Sequence, residues 1–214
     1  MITVHTFGWV PPFAQGLVRD MRVRWALEEV GLAYNVRSID AQTQQAPDYR
    51  ALQPFGQAPV YEEDGLSLFD SGAIVLHIGE KSETLLPRDR EGRARAVTWL
   101  LCALNTMEIV IQELAEIDLF TPDEDWAKER RPLAEAMVRR RLAELAASLG
   151  DREYLEDRFT AGDLMMTTVL QILRHTGLVE NEPVLAAYVQ RCTARPAYQR
   201  AYEAHMAAFR KKAS

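Results

Sequence analysis

The sequence predicts an α/β unit followed by an all-helical unit. Three observations carry this. Strand-like runs alternate with helical periodicity through residue 78, strand signals cease past Pro87, and beyond that point apolar residues recur at steps of three and four.

The elements follow in order. "ITVHTF" (2–7) is β-branched and aromatic throughout and reads as a strand. "MRVRWALEEVG" places Val23, Ala26, Leu27 and Val30 at helical spacing, with Arg22, Arg24, Glu28 and Glu29 on the other side and Gly31 as the stop. "AYNVRSID" (33–40) is a second strand, and "APDYRALQPF" a short helix bounded by prolines. "PVYEEDGLSLF" (59–69) carries the Asp64-Gly65 turn of a hairpin, and "DSGAIVLHIGEK" a helix whose apolar side is Ile74, Leu76, His77 and Ile78. The order is βαβαββα: the βαβ start implies a parallel pair, and the hairpin adds an antiparallel edge.

In the second half, residues 92–117 form a long amphipathic helix through Val97, Leu100, Leu104, Met107, Ile111 and Leu114. Residues 126–149 repeat the pattern through Leu133, Met137, Leu142, Leu145 and Leu149. "GDLMMTTVLQIL" (162–173) is apolar nearly all round, the mark of a helix at the centre of a bundle, and Thr160 with Asp163 fits a capping box at its start. "PVLAAYVQRCTA" and "PAYQRAYEAHMAAF" are two more helices, each opened by a proline in the first turn. The domains expected are 1–82 and 92–214, joined by a linker at 83–91. The run Arg139-Arg140-Arg141 reads as a solvated helix face.

Composition narrows the function classes. With 48% hydrophobic and 26% charged residues the chain is of ordinary globular type, and a net charge of −6 with dispersed Lys and Arg argues against nucleic acid or an anionic membrane. The N-terminus lacks a basic region followed by an apolar run, and no stretch is expected to be apolar enough to span a bilayer. The two cysteines, Cys102 and Cys192, stand alone, so neither a metal site nor a disulfide framework is expected, and a cytoplasmic location follows.

The stretch "LQPFGQAPVYEEDGLSLFDSGAIVLHI" (52–78) resembles the glutathione-binding half of glutathione S-transferases. The family pattern is roughly Asn-Pro-x-Gly-Lys-Val-Pro, a strand, a turn, and Glu-Ser at a helix start. Pro54, Gly56, Pro59 and Ser71 match it, whereas Gln53, Gln57, Ala58 and Asp70 replace the Asn, Lys, Val and Glu. "VRWALEEVGLAY", "YLEDRFTAGDL" and "YVQRCTARPAYQRA" are similar to the family's first helix and second strand, its central C-terminal helix, and its last two helices. The resemblance implies a thioredoxin-like N-terminal domain, a helical C-terminal bundle, a homodimer, and glutathione as co-substrate without a metal. It implies that Pro59 is cis and that Ala58 meets the cysteinyl unit of glutathione through its backbone. Ser71 would bind the γ-glutamyl carboxylate, Asp70 its ammonium and Gln57 the glycyl carboxylate. Taken alone, an Asp or Ser at a helix start is more often a plain N-cap. The same free N–H groups and macrodipole nevertheless suit a carboxylate.

Glutathione transfer needs a thiolate, and a thiol with a pKa of about 8.5 must be helped to ionise. The family places a Tyr, Ser or Cys after the first strand. Here "FGWVPPFAQGLVRD" (7–20) has none, and the matching positions are Val18 and Arg19. The candidate donors are Arg19, the Trp9 indole, the Gln15 amide and the N–H groups at the helix start, with Thr6 placed too early in the strand. Trp9, Phe13, Leu104, Met107, Glu108 and Ile111 are the candidate pocket for the electrophile, although core packing explains most of the helix positions equally well. The expected function is a glutathione transferase that conjugates small electrophiles or reduces peroxides. The alternatives are a non-catalytic glutathione-fold binding or regulatory module and a glutathione-dependent disulfide reductase.

Overall fold

The computed structural model describes residues 1–210. The chain divides into two compact units, residues 1–86 with the segment from Arg195 onward, and residues 87–194. The last helix therefore joins the α/β unit, whereas the sequence reading placed everything after residue 92 in one helical domain.

In the first unit, strand β1 (Ile2–Phe7) leads through a loop to helix α1 (Asp20–Val30), then β2 (Tyr34–Ile39). Helices α2 (Ala41–Gln45) and α3 (Pro47–Leu52), the hairpin β3 (Val60–Glu63) and β4 (Leu66–Phe69), and α4 (Ser71–Gly79) follow. The sheet order is β2-β1-β3-β4, with β1 parallel to β2 and antiparallel to β3, the expected mixed sheet. At the hairpin tip Asp64 and Gly65 both take positive φ, 49° and 87°, the backbone that a two-residue turn between twisted strands requires. Helix α2 was not anticipated. It forms because the Asp40 carboxylate accepts from the amide of Thr43 at 2.8 Å and from its hydroxyl at 2.7 Å, an N-cap inside what reads as a loop.

Helix α1 overturns one expectation. Arg22 and Arg24, placed on its outer side by periodicity, are both buried. The reason is that α1 is covered on two sides, by α4 and by the last helix, α10 (Pro196–Arg210), so that its polar face also lies inside. Its charges find partners there. Arg195 grips the Glu29 carboxylate through two N–H groups at 2.6 and 2.8 Å, Arg200 pairs with Glu28 at 2.7 Å, and Trp25 meets Tyr198 edge-on at 4.9 Å.

In the second unit, α5 (Arg90–Cys102) runs through a widened, π-helical stretch, Ala103–Glu108, into α6 (Ile109–Leu119). The single helix expected over 92–117 thus carries a local irregularity at its middle. By length and composition this run is apolar enough to cross a membrane, contrary to the expectation, and within its own unit it packs on α8 (Ala161–Leu170) and α7 (Asp125–Leu149). All of α8 is buried, as its unbroken apolarity implies. Its capping box is formed: the Thr160 hydroxyl accepts from the amide of Gly162, and Asp163 accepts from the amides of Thr160 and Leu155 and from the Tyr188 hydroxyl. A Cβ on Gly162 would lie 2.6 Å from the Trp99 Cβ, so glycine sets the approach of α5 and α8. Leu133 and Met137, expected in the core face of α7, are exposed, and Ala134 and Val138 are buried instead. Arg139, Arg140 and Arg141 pair with Glu135 and Glu144 along the surface. Helix α9 (Pro183–Thr193) completes the unit.

Candidate functional site

Strand register gathers residues that are distant in sequence. In the hairpin Val60 pairs with Phe69, so Ala58-Pro59 and Asp70-Ser71 lie just beyond the same end of the ladder. Strand β1 pairs His5 with Val60, and continuing that register brings Thr6 and Phe7 opposite Pro59 and Ala58. The ladder stops there because proline has no N–H to give. The loop 8–19, the proline turn and the start of α4 thus converge at one edge of the sheet.

Each group at this edge has a definite setting. The Ala58–Pro59 bond is cis. Gln57 is exposed, and its carbonyl accepts from the Tyr49 hydroxyl at 2.6 Å. Burial pushes Tyr49 up to about 12, so it stays protonated and keeps that bond at neutral pH. Asp70 holds φ 70° and ψ 118°, outside the regions an L-residue favours, and its carboxylate accepts from the amide of Gly72 at 3.0 Å. Ser71, the first residue of α4, is only 4% exposed, and Arg22 Nη1 donates to its hydroxyl at 3.2 Å. Periodicity alone hid Arg22. The signal available in the sequence was an arginine one turn into a helix that leads away from the site.

The loop before α1 is less closed. Trp9 is 69% exposed, Phe13 and Gln15 are half-buried, and Arg19 is exposed just ahead of the helix. Gly16 takes φ 82°, and a Cβ there would lie 2.7 Å from the Tyr202 ring, so only glycine lets the loop pass over α10. Thr6 is buried. At the start of α1 the amides of Met21 and Arg22 already donate to the carbonyls of Val18 and Arg19. Asp20 is fully buried there, bonded to Arg24 at 2.7 Å and to His205 at 3.3 Å. Burial pushes its carboxyl up, but the hydrogen bond and charge of His205 and then Arg24 outweigh that and hold it below the ordinary range. The Asp20 carboxylate is thus turned toward Arg24 and His205. The side chains of Arg19, Trp9 and Gln15 and the amides at the start of α1 are the candidate donors to the glutathione sulfur.

In the helical unit, Leu104, Met107 and Glu108 all lie in the π-helical stretch, half-buried in the first case and buried in the other two. Ile111 has no exposed surface and is a packing residue. Its periodicity fits a core face equally well, and burial decides for the core. Among the described residues, no three His, Cys, Asp or Glu side chains gather as a metal site.

Residues 4–80 match the family model for the glutathione S-transferase N-terminal domain. Glutathione S-transferase F11 of Arabidopsis thaliana is 30% identical over 181 residues, covering 77% of this chain and 82% of that protein. The chain belongs to the glutathione S-transferase family. A glutathione S-transferase of Hyoscyamus muticus is 28% identical over 202 residues, 86% of this chain and 92% of its own length. Among solved structures, the theta class glutathione S-transferase of Xanthomonas axonopodis pv. citri, with glutathione bound, is 28% identical. Its TM-score is 0.79, covering 94% of this chain and 96% of that one. Family membership gives the convergence at the sheet edge its meaning, since the matched domain contains the proline turn and the start of α4.

Proposed function

We propose that this protein is a glutathione transferase that joins the sulfur of glutathione to small electrophiles. The observation that carries the reading is the shared sheet edge, where Ala58-cis-Pro59 and Asp70-Ser71 meet at one end of a single hairpin. In this reading Ala58 bonds the cysteinyl backbone, and Ser71 with the start of α4 takes the γ-glutamyl carboxylate. Asp70 takes the ammonium and Gln57 the glycyl carboxylate. The strained backbone of Asp70 supports this, because an L-residue held at φ 70° marks a position fixed by more than local preference.

The chemical step needs the thiolate. Its lone pair forms the new carbon–sulfur bond, the bond to the leaving group breaks with its electron pair, and the thiol proton passes to water. Arg19 favours the anion by charge, while Trp9 and Gln15 have donors within the same loop. Trp9 and Phe13 are the proposed contacts of the electrophile. Cys102 and Cys192 are reduced, in keeping with a reducing, cytoplasmic location.

A homodimer is part of the proposal. Exposed hydrophobic side chains support it: Phe55 and Phe69 meet edge-on at 6.3 Å on the first unit, and Leu101 and Ile109 are exposed on the second. Sedimentation at micromolar concentration should give the mass of two chains, and a monomer there removes this part.

Calorimetric titration with glutathione, followed by assays against electrophiles, peroxides and mixed disulfides, tests the whole. Binding with conjugation is the expected result. Binding without turnover selects the non-catalytic module, which the missing hydroxyl or thiol at Val18 and Arg19 favours. Turnover of mixed disulfides alone selects the reductase, and no binding overturns the reading.

A further inference from the structure

We infer that Arg22 is a positioning residue for the γ-glutamyl carboxylate, acting by turning the Ser71 hydroxyl into an obligate donor. This rests on the glutathione reading and goes one step behind it. A guanidinium has only N–H donors and accepts nothing. Arg22 Nη1 donates to Ser71 Oγ at 3.2 Å, so one lone pair of the hydroxyl is occupied and its single proton points away from Arg22. Without Arg22 the same hydroxyl is free to turn its proton inward and offer a lone pair, which repels a carboxylate.

The start of α4 makes that proton matter. Two of its amides are already committed, Gly72 to the Asp70 carboxylate at 3.0 Å and Ile74 to the Asp70 carbonyl at 3.0 Å. The hydroxyl of Ser71 therefore supplies a donor that the helix start would otherwise have to provide with fewer amides. Arg22 is 2% exposed, so its side chain is held by packing and its charge is little screened by salt. The pair is fixed because α1 packs on α4 within the first unit.

The test compares glutathione with γ-aminobutyryl-cysteinyl-glycine, which lacks only the γ-glutamyl carboxylate, by calorimetric titration of the full-length protein. The parent should prefer glutathione. Arg22→Met should reduce that preference by about tenfold, the scale of one hydrogen bond to a charged group. Its affinity for the analogue should stay the same, a result that general loosening of the site would not give. Arg22→Lys should restore most of the preference. Combining Arg22→Met with Ser71→Ala should add nothing to Ser71→Ala alone, since the two act through one hydroxyl. Should Arg22→Met not fold, Arg22→Gln carries the same expectation in smaller degree, because an amide can donate or accept and no longer forces the hydroxyl outward. A parent that prefers glutathione while these variants keep the full preference, or lose both ligands equally, overturns the role of Arg22 alone. A parent that binds neither ligand overturns the glutathione site together with it.

Discussion

Two helix starts in the same unit, those of α1 and α4, each carry an aspartate and are built for opposite ends. At α4, Asp70 is exposed and caps its own helix, and the cation behind the site, Arg22, donates to Ser71. At α1, Asp20 is fully buried and spends its charge on Arg24 and His205. A helix dipole attracts anions at either start. What separates them is where the acid turns: Asp70 caps its own helix at the sheet edge, whereas Asp20 turns inward to Arg24 and His205. The lesson is that burial decides what an acid at a helix start serves, and the sequence shows an Asp at both.

Breaking the internal compensation at α1 should have the largest effect. Asp20→Ala leaves Arg24 and His205 buried without their acid and should cost about 3–5 kcal/mol of stability, read as a lower melting temperature and denaturation midpoint. Glutathione affinity of the folded fraction should hardly move. The same pair sets a pH dependence. The folded Asp20 carboxyl lies below its unfolded value of about 3.9, so its stabilisation is complete above that value. It is lost as pH falls through the folded pKa. Denaturation curves from pH 6 to pH 2 should show this acid loss in the parent, and Asp20→Ala should have less of it.

At α4 the effect should fall on the ligand instead. Ser71→Ala removes a donor to a carboxylate and should weaken glutathione binding by about 1.5–3 kcal/mol by calorimetry, with little change in melting temperature. The reverse outcome, a stability loss with unchanged affinity, makes Ser71 a plain cap and erases the contrast between the two helix starts.

The smallest effect concerns the loop ahead of α1. Arg19→Ala should raise the thiol pKa of bound glutathione by about one unit, through loss of one nearby positive charge. Thiolate absorbance against pH measures it. Thr6→Val should leave that pKa unchanged, because Thr6 is buried in β1. Trp9→Phe should change the choice of electrophile more than the pKa. If Thr6→Val abolishes the thiolate signal, the donor is a strand hydroxyl and the exposed loop is irrelevant to activation.

Sequence alone determined the elements whose causes are local. The Asp64-Gly65 turn, the Thr160–Asp163 cap, the β-branched run of β1 and the unbroken apolarity of α8 each depend on residues within a few positions of one another, so their chemistry is visible in the string. The proline turn and Asp70-Ser71 were legible through the family pattern for the same reason. Tertiary structure alone decided which faces are covered. Helical periodicity put Arg22 and Arg24 outside, and packing by α4 and α10 buried both. It put Leu133 and Met137 inside, and the choice of Ala134 and Val138 for the contact face exposed them. The physical reason is that a 3.6-residue period reports one preferred apolar stripe. A buried charge depends on a partner supplied from elsewhere in the chain, as Ser71 lies near Arg22 and His205 near Asp20 only after folding.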